Sequence, residues 1–127
     1  MKKIEESQED YLKAIYLISK TNRGGWVSNS EIAEALGVKP SSVTNMLYKL
    51  KELNLIDWEP RKSMRLTKKG KVIAKNMVKR YKILKHFFVN VLKLDDDESI
   101  DDICCKIEHH LTNEVSEALY QLNGTIQ

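Results

Sequence analysis

The sequence lacks the usual features of secreted, membrane-spanning and disulfide-stabilised proteins. Its only two cysteines, Cys104 and Cys105, are adjacent, and a bridge between neighbouring residues would be strained, so both are expected to be thiols. No apolar run approaches the length of a transmembrane helix, and the start Met1-Lys2-Lys3 leads into the charged stretch IEESQED instead of an apolar signal segment. We therefore predict a cytoplasmic protein that does not bind a membrane.

A recognisable catalytic motif is also missing. The stretch CCKIEHH does not have the His-Glu-x-x-His spacing of zinc proteases, and a metallohydrolase would further need a positioned base and a substrate pocket. The sequence therefore favours a binding protein over an enzyme. Its 127 residues, 42% of them hydrophobic, are enough for one compact domain or for a small domain with an added helical module.

The net charge of +3 conceals a strong segregation along the chain. Residues 1–37 have a net charge of −1, residues 38–86 carry fourteen basic and three acidic side chains for a net charge of +11, and residues 87–127 have a net charge of −7. A basic segment of this density predicts a polyanionic partner, and the acidic C-terminal part is expected to face something else. Ordinary solvated lysines would explain the number of basic residues but not their clustering.

Residues 28–53 have the pattern of a helix-turn-helix. Ser28 and Glu31 form a predicted capping box at the start of one helix, and Gly37 stands where a left-handed residue closes it. In the second helix apolar residues recur at helical spacing and leave small polar side chains on the other faces. Hydroxyl and amide groups in such a position contact base edges and phosphates in a major groove. The alternative interpretation is a solvated helix in an ordinary helical hairpin.

A preceding helix and a β-wing are predicted around this unit. Ser7 is expected to cap a helix that reaches about Thr21, and Asn54 is expected to end the second helix of the helix-turn-helix. The segments LIDWEP and MRL, residues 55–60 and 64–66, have the composition of two strands joined by a turn with a basic tip. Such a tip is suited to contact the DNA backbone.

A long helix is predicted after the wing, capped by Thr67 and reaching about Leu92. Its apolar residues repeat at spacings of four, three, four and three, which is typical of a coiled-coil seam. The partner helix is expected either within the chain or in a second copy of it. The seam residues, predicted to form the dimer interface, are Met77, Tyr81, Leu84, Phe88 and Val91.

Two further helices are predicted in the acidic C-terminal part. The first runs from about Glu98 to Leu111, and the second is capped by Thr112 or Asn113 and stops at Asn123-Gly124. The residues expected to face the core are Ile100, Ile103, Cys104, Ile107 and Leu111 in the first helix and Val115, Ala118, Leu119 and Leu122 in the second.

Three metal-binding side chains share one side of the first of these helices. Cys105, Glu108 and His109 stand at positions i, i+3 and i+4, so a thiolate, a carboxylate and an imidazole can converge on one transition-metal ion. A fourth donor would have to come from elsewhere in the fold. The spacing alone does not exclude a solvated polar strip beside the core residues.

Four stretches carry a resemblance that covers almost the whole chain. They are EDYLKAIYLI, IAEALGVKPSSVTNMLYKLKELNLI, LTKKG and CKIEHHLT. Together they resemble the diphtheria toxin repressor family of metal-dependent transcription repressors, in particular its short two-domain members. The resemblance implies a mainly α-helical fold, with an N-terminal winged helix-turn-helix and its small β-wing in residues 1–70. An all-helical dimerisation and metal-binding domain would occupy residues 71–127.

The same resemblance implies a function. The protein is expected to be a homodimeric, sequence-specific repressor that binds a palindromic double-stranded DNA operator, controls metal-homeostasis genes and is activated by a divalent transition metal. Dimer symmetry would place the two recognition helices in successive major grooves. The residues expected to contact DNA are Pro40, Ser41, Ser42, Thr44, Asn45 and Lys49 on the second helix of the helix-turn-helix and Arg61, Lys62 and Arg65 in the wing.

Carried over residue by residue, the resemblance implies four metal ligands, Asp10, Cys105, Glu108 and His109. Cysteine at its position is typical of the iron-responsive members, and a soft thiolate shifts preference toward iron, nickel, cobalt or zinc over manganese. Aspartate at position 10 is typical of the manganese-responsive members. We therefore favour Fe2+ as the bound metal and place Mn2+ second.

Three positions depart from the family pattern. Lys13, Tyr81 and Lys85 stand where relatives carry further metal-binding groups, and ammonium groups repel a divalent cation. At most one metal site per chain is therefore expected, to which Asp101 is a candidate additional oxygen ligand. The alternative function is a metal-independent or thiol-redox-sensing winged-helix regulator, in which Cys105 responds to oxidation.

Overall fold

The protein is described by a computed structural model over residues 4–126. It comprises two compact units, Met1–Lys75 and Asn76–Gln127. This architecture confirms the predicted fold class, and the predicted functional division between residues 70 and 71 stays a prediction. In chain order the elements are α1 (Glu6–Ser19), α2 (Asn29–Leu36), α3 (Pro40–Glu52), β1 (Ile56–Asp57), β2 (Arg65–Leu66), α4 (Lys68–His86), α5 (Glu98–Ile107) and α6 (Asn113–Ile126). Within the described residues, no helix is both long enough and apolar enough to cross a membrane.

Helix α1 begins with a capping box. Glu5 is the N-cap, and its N–H donates a hydrogen bond of 3.0 Å to Oε1 of Gln8. The prediction that Ser7 caps this helix is therefore wrong, because the Glu5 and Gln8 pair already satisfies amide groups of the first turn. The helix buries Leu12 and Ile15 in the core of the first unit.

Helices α2 and α3 form the predicted helix-turn-helix. Ser28 Oγ accepts a hydrogen bond from the Glu31 N–H at 3.2 Å, and Glu31 Oε1 accepts one from the Ser28 N–H at 3.0 Å. Gly37, with φ of 65°, closes α2 in the left-handed region, where other residues would be strained. Pro40 is the first residue of α3, where its missing N–H costs nothing. The residues of α3 that are fully buried are Val43, Leu47 and Leu50.

The β-wing is short and antiparallel, as predicted. Ile56 pairs with Leu66 and Asp57 with Arg65. Val27 adds a bridge to Met64, so the extended piece before α2 lies beside β2. Since two paired residues per strand are marginal alone, the wing depends on the buried side chains that it contributes to the core. Those side chains are Ile56, Trp58, Met64 and Leu66.

The start of α4 is fixed against the first unit. Thr67 Oγ1 accepts a hydrogen bond from the Gly70 N–H at 3.1 Å and donates one of 2.8 Å to the carbonyl of Asn54, which itself has a left-handed φ of 60° after α3. A Cβ atom on Gly70 would lie 2.1 Å from the Leu55 carbonyl oxygen. Only glycine permits this approach, which explains its place in LTKKG.

The predicted seam of α4 is used within the second unit. Leu84 is buried with Ile100, Cys104 and Leu111, and Tyr81 and Phe88 pack partly buried against the same cluster. These three seam residues therefore pack against helices of their own chain. The prediction that the whole seam forms the dimer interface stays a prediction. Helix α4 ends at His86 and continues as a π-helical turn, Phe87–Val91, instead of a regular helix to Leu92.

Helix α5 ends earlier than predicted. Its N-cap is Asp97, which accepts a hydrogen bond from the Ile100 N–H at 3.1 Å, but the helix stops at Ile107 and gives way to a 3-10 turn, Glu108–His110. Ile103 is exposed, so its predicted place in the core is wrong. Cys104 is fully buried, and burial together with the adjacent Cys105 raises the pKa of its thiol, as suits an inert core residue.

Of the four residues predicted to face the core from α6, only Leu119 packs against the core cluster of the second unit. Val115 and Leu122 are exposed, with Ala118 between them, whereas Ser116 and Asn123 are buried. The buried Asn123 donates a hydrogen bond of 3.2 Å to the Ile83 carbonyl. The predicted stop at Asn123-Gly124 is also wrong, because the helix runs to Ile126. The apolar spacing therefore identified the helix correctly but not the side that packs inside the chain.

Candidate DNA interface and metal centre

Helix α3 presents the predicted polar surface to solvent. Ser41, Ser42, Asn45 and Lys49 are exposed, while the apolar residues of the helix are buried beneath them. Lys49 lies in the last turn, where a cation also complements the C-terminal end of the helix dipole. These side chains can offer hydroxyl, amide and ammonium groups to base edges and phosphates.

The Thr44 hydroxyl is already engaged inside the helix-turn-helix. It donates a hydrogen bond of 3.1 Å to the Pro40 carbonyl and accepts one of 2.9 Å from Nδ2 of Asn29. Since a hydroxyl has one donor and two acceptor positions, only acceptor capacity remains for a ligand. Asn29 was not expected from the sequence as a site residue, although its place directly after the Ser28 N-cap puts it at the start of α2, beside α3.

A cleft of about 580 Å³ lies between the helix-turn-helix and the wing. Tyr48 of α3 contacts Trp58 edge to face, with ring centroids 4.9 Å apart, and this aromatic pair joins the recognition helix to the wing. The contact between Tyr48 and Trp58 was not expected from the sequence. The lining also includes Asn29, Ser30, Thr44, Arg61 and Lys62.

The wing separates the three basic residues that were predicted to act together. Arg61 and Lys62 are exposed at the turn, where Arg61 has a φ of 68° and the Lys62 ammonium lies 3.2 Å from the Glu59 carboxylate. Arg65 lies further along β2 with its guanidinium 4.4 Å from the centroid of the Trp26 ring, and it lines a different cleft. The two residues at the tip are therefore the wing cations nearest to the recognition surface.

The predicted ligands of the second unit surround the end of α5. Glu108 is fully buried, and its carboxylate and the His109 ring have ligand atoms within 4.8 Å of each other. Cys105 is half-buried one turn earlier, and its thiol does not join both groups within that distance. A carboxylate and an imidazole this close suit a divalent transition metal, and buried carboxylates persist where they are hydrogen-bonded or bind a cation. Asp10 is an exposed residue of α1 in the first unit.

Two of the three positions that depart from the family pattern, Tyr81 and Lys85, belong to a hydrogen-bonded ion cluster. The Lys85 ammonium lies 3.0 Å from both the Asp96 and the Asp101 carboxylates, and the Tyr81 hydroxyl donates a 2.6 Å hydrogen bond to Oδ1 of Asp101. Hydrogen bonds to Asp101 and then Asp96 raise the pKa of Lys85. Burial, followed by the Asp101 hydrogen bond, raises the pKa of Tyr81 to about 12. One carboxylate oxygen of Asp101 therefore already interacts with two protein donors, the Tyr81 hydroxyl and the Lys85 ammonium. The sequence had suggested Asp101 as an additional oxygen ligand of the metal, and this engagement argues against that role.

Sequence comparison matches both parts of the chain to one family. Residues 3–64 match the family profile described as "Iron dependent repressor, N-terminal DNA binding domain". Residues 67–127 match the profile described as "Iron dependent repressor, metal binding and dimerisation domain". The two matches agree with the order of elements in the structure.

Individual relatives agree with this assignment. An uncharacterised HTH-type transcriptional regulator of Methanocaldococcus jannaschii is 40% identical over 116 residues, which are 91% of this chain and 91% of that protein. The HTH-type transcriptional regulator MntR of Bacillus subtilis is 39% identical over 106 residues, covering 84% of this chain and 72% of MntR.

Solved structures share the fold. A manganese-dependent transcriptional repressor in complex with manganese superposes with a TM-score of 0.81 at 30% identity, over 92% of this chain and 52% of that one. IdeR of T. acidophilum gives a TM-score of 0.75 at 25% identity, over 98% of this chain and 56% of that one. The chain thus spans about half the length of these solved relatives.

Proposed function

Because the chain belongs to the family of iron-dependent repressors, which are metal-dependent transcriptional regulators, we propose that it represses transcription as a homodimer whose operator binding requires a divalent metal ion. As a DNA-binding repressor, the protein would act in the compartment that holds the DNA, which we propose is the cytoplasm. The observation that carries the proposal is the buried Glu108 carboxylate beside His109, within the segment that matches the family's metal-binding domain.

The DNA-reading part of the proposal rests on α3 and the wing tip. Asn45 would read a base edge, Lys49 would contact a phosphate, and Arg61 and Lys62 would contact the backbone beside the groove. A buried or bidentate base contact contributes about 1–3 kcal/mol of discrimination, whereas a phosphate contact strengthens binding to all sequences alike.

Fluorescence anisotropy tests this division on a palindromic duplex that the full chain has enriched from a random pool. Asn45→Ala should weaken binding to that duplex by about tenfold or more and leave binding to an unrelated duplex nearly unchanged. Lys49→Ala should weaken both, and Lys51→Ala, an exposed lysine of the same helix that is not among the proposed contacts, is the matched control. Equal losses for Asn45→Ala on both duplexes would contradict base reading.

The metal-binding part of the proposal assigns Glu108, His109 and Cys105 of the second unit, and Asp10 of α1, as ligands of one ion per chain. When bound, the ion would supply a fixed positive charge and a preferred ligand geometry. We favour Fe2+, because a thiolate ligand at Cys105 would disfavour manganese, and Mn2+ is the second candidate. Linkage requires that a metal which tightens operator binding is itself bound more tightly in the presence of operator.

The gating test compares metal-free protein with protein supplied anaerobically with Fe2+ or Mn2+. The proposal expects at least about tenfold tighter operator binding with the activating metal, within the usual range of allosteric coupling. Glu108→Gln should abolish this gain and keep the residual metal-free affinity, while Glu114→Gln, an exposed carboxylate of α6, should not. Equal operator affinity with and without either metal would reject metal gating, and a peroxide response lost in Cys105→Ser would favour the thiol-redox alternative.

The dimer is supported by the outer face of α6. Val115 and Leu122 are exposed with Ala118 between them, and together they form an apolar stripe on a helix that otherwise presents polar side chains to solvent. Exposed apolar patches are typical of surfaces that bind another protein, and Tyr120 of the same helix is exposed as well. The proposed occupant is the same stripe of a second copy, in a symmetric contact.

A further inference from the structure

The first unit contains a second, strongly basic cleft of about 670 Å³. The cleft is lined by the last turn of α1, the loop that follows it, β2 and the first two turns of α4. Every charged residue that lines it is basic, and the four come from three different elements. They are Lys20, Arg65, Lys71 and Lys75.

Two of these cations are held in place by aromatic rings. The Arg65 guanidinium lies 4.4 Å from the Trp26 ring centroid, and the Lys20 ammonium lies 4.5 Å from the ring centroid of Tyr16. Among residues 4–126, no ion pair links any of the four cations to a carboxylate. The cleft therefore brings four positive charges together around a concave space, and no carboxylate of the described residues neutralises them. Such a cleft attracts anions.

The basic cleft is separate from the recognition surface. It shares no lining residue with the cleft between the helix-turn-helix and the wing. Arg65 belongs to β2, shortly before α4, whereas Arg61 lies four residues earlier in the turn at the wing tip. The chain runs from the wing tip toward α4 over these residues, so the basic cleft lies at the end of the wing away from its tip.

We propose that the basic cleft is a binding site for a small polyanion that carries two or more phosphate groups. Its volume is in the range of small-molecule sites, about 300–1,000 Å³. Cations converging from α1, β2 and α4 match charge distributed over several groups better than a single monovalent anion. The site is independent of the proposed metal ligands, so the ligand would be a second input to the protein.

The binding test uses Trp26 as its reporter. The chain has two tryptophans, so the full-length variant Trp58→Phe leaves Trp26, in contact with Arg65, as the sole source of tryptophan emission. Inorganic triphosphate is titrated into the metal-free protein at constant ionic strength. The expected result is a saturable change in Trp26 emission, and a titration without saturation overturns the proposal. Isothermal titration calorimetry of the unsubstituted chain gives the same answer if Trp58→Phe does not fold.

Charge-removing variants then locate the site. Lys71→Gln with Lys75→Gln should raise the dissociation constant for triphosphate by about tenfold or more, since each lost charge-assisted hydrogen bond is costly. Lys68→Gln with Lys69→Gln removes the same charge from the same helix outside the cleft and should change it less than about twofold. Equal weakening by the two pairs overturns the proposal. So does a selective loss of duplex DNA affinity in the first pair without triphosphate binding, which would assign the cleft to the DNA backbone.

Discussion

Helices α3 and α6 both carry apolar residues at helical spacing, and they use them in opposite ways. In α3, Val43, Leu47 and Leu50 are completely buried within the first unit. In α6, Val115 and Leu122 remain 47% and 41% exposed, and the helix buries polar Ser116 and Asn123 instead. The apolar residues of α3 are therefore covered by their own chain, whereas Val115 and Leu122 of α6 are left exposed by theirs.

The largest expected effect concerns α3, whose apolar residues are buried within the first unit. Leu47→Ala should lower the free energy of unfolding by about 2–5 kcal/mol, because it removes a fully buried side chain and leaves a cavity. Urea unfolding followed by circular dichroism measures the change. Leu122→Ala, which truncates an exposed leucine, should cost less than about 1 kcal/mol at concentrations where the chain is monomeric. Similar losses for both would show that the two helices do not differ as described.

The next largest expected effect is on dimerisation and concerns the exposed apolar stripe of α6. Leu122→Glu should raise the dissociation constant of the dimer at least about 100-fold, because covering the α6 stripe would bury an unpaired carboxylate at a cost of about 3 kcal/mol or more. Sedimentation equilibrium measures the constant. Ser99→Glu adds the same charge at an exposed polar position of α5 and should leave it nearly unchanged. An unaffected dimer in Leu122→Glu would place the interface elsewhere.

A smaller, pH-dependent effect is expected at the start of α2. Hydrogen bonds from Asn22 and then from the Ser28 backbone lower the pKa of Glu31. The carboxylate therefore adds stability above its unfolded-state pKa of about 4.3, and this contribution is lost as the pH falls through the lower pKa of the folded state. Glu31→Gln should cost about 1 kcal/mol at pH 7 and almost nothing at strongly acidic pH. Glu34→Gln, an exposed neighbour, is the control, and a pH-independent cost would contradict the assignment.

The smallest effect is spectroscopic and concerns the second unit. Burial and the Asp101 hydrogen bond keep the Tyr81 phenol neutral up to about pH 12, while the nearby Lys85 ammonium acts in the opposite direction. The stability that this hydrogen bond adds is present below the unfolded-state pKa and is lost as the pH rises through about 12. The tyrosinate absorbance of Tyr81 is identified as the part of the signal that Tyr81→Phe removes. In Lys85→Met this absorbance should appear at a higher pH than in the unsubstituted protein. Its appearance at an unchanged pH would show that Lys85 does not act on Tyr81, and its appearance at a lower pH would show that Lys85 acts in the opposite direction.

The sequence was most informative where structure depends on neighbouring residues. The Ser28 capping box, the left-handed Gly37, the end of α3 at Asn54 and the strands of the wing all follow from local backbone chemistry, and all were found as predicted. The local prediction was wrong at α1, where Glu5 is the N-cap and forms a capping box with Gln8, so that Ser7 does not cap the helix. The helix-turn-helix itself was therefore visible from a stretch of about 25 residues.

The second unit was predicted less well because its details depend on distant packing. Periodicity shows that a helix has an apolar side, but the choice between the two faces of α6 depends on what else is present to cover them. Glu108 is fully buried in the 3-10 turn that follows α5, and the sequence gives no sign of that turn. The candidate ligands could be identified by residue type and by family resemblance, whereas their surroundings required coordinates.

The Lys85 ammonium between Asp96 and Asp101 has a consequence for how the second unit responds to its surroundings. A side-chain cation is covalently tethered, so its local concentration does not depend on the supply of ions and no chelator can remove it. A free metal would have to displace this permanent competitor to reach the two aspartates. Lys85 thereby sets Asp96 and Asp101 apart from the proposed metal ligands.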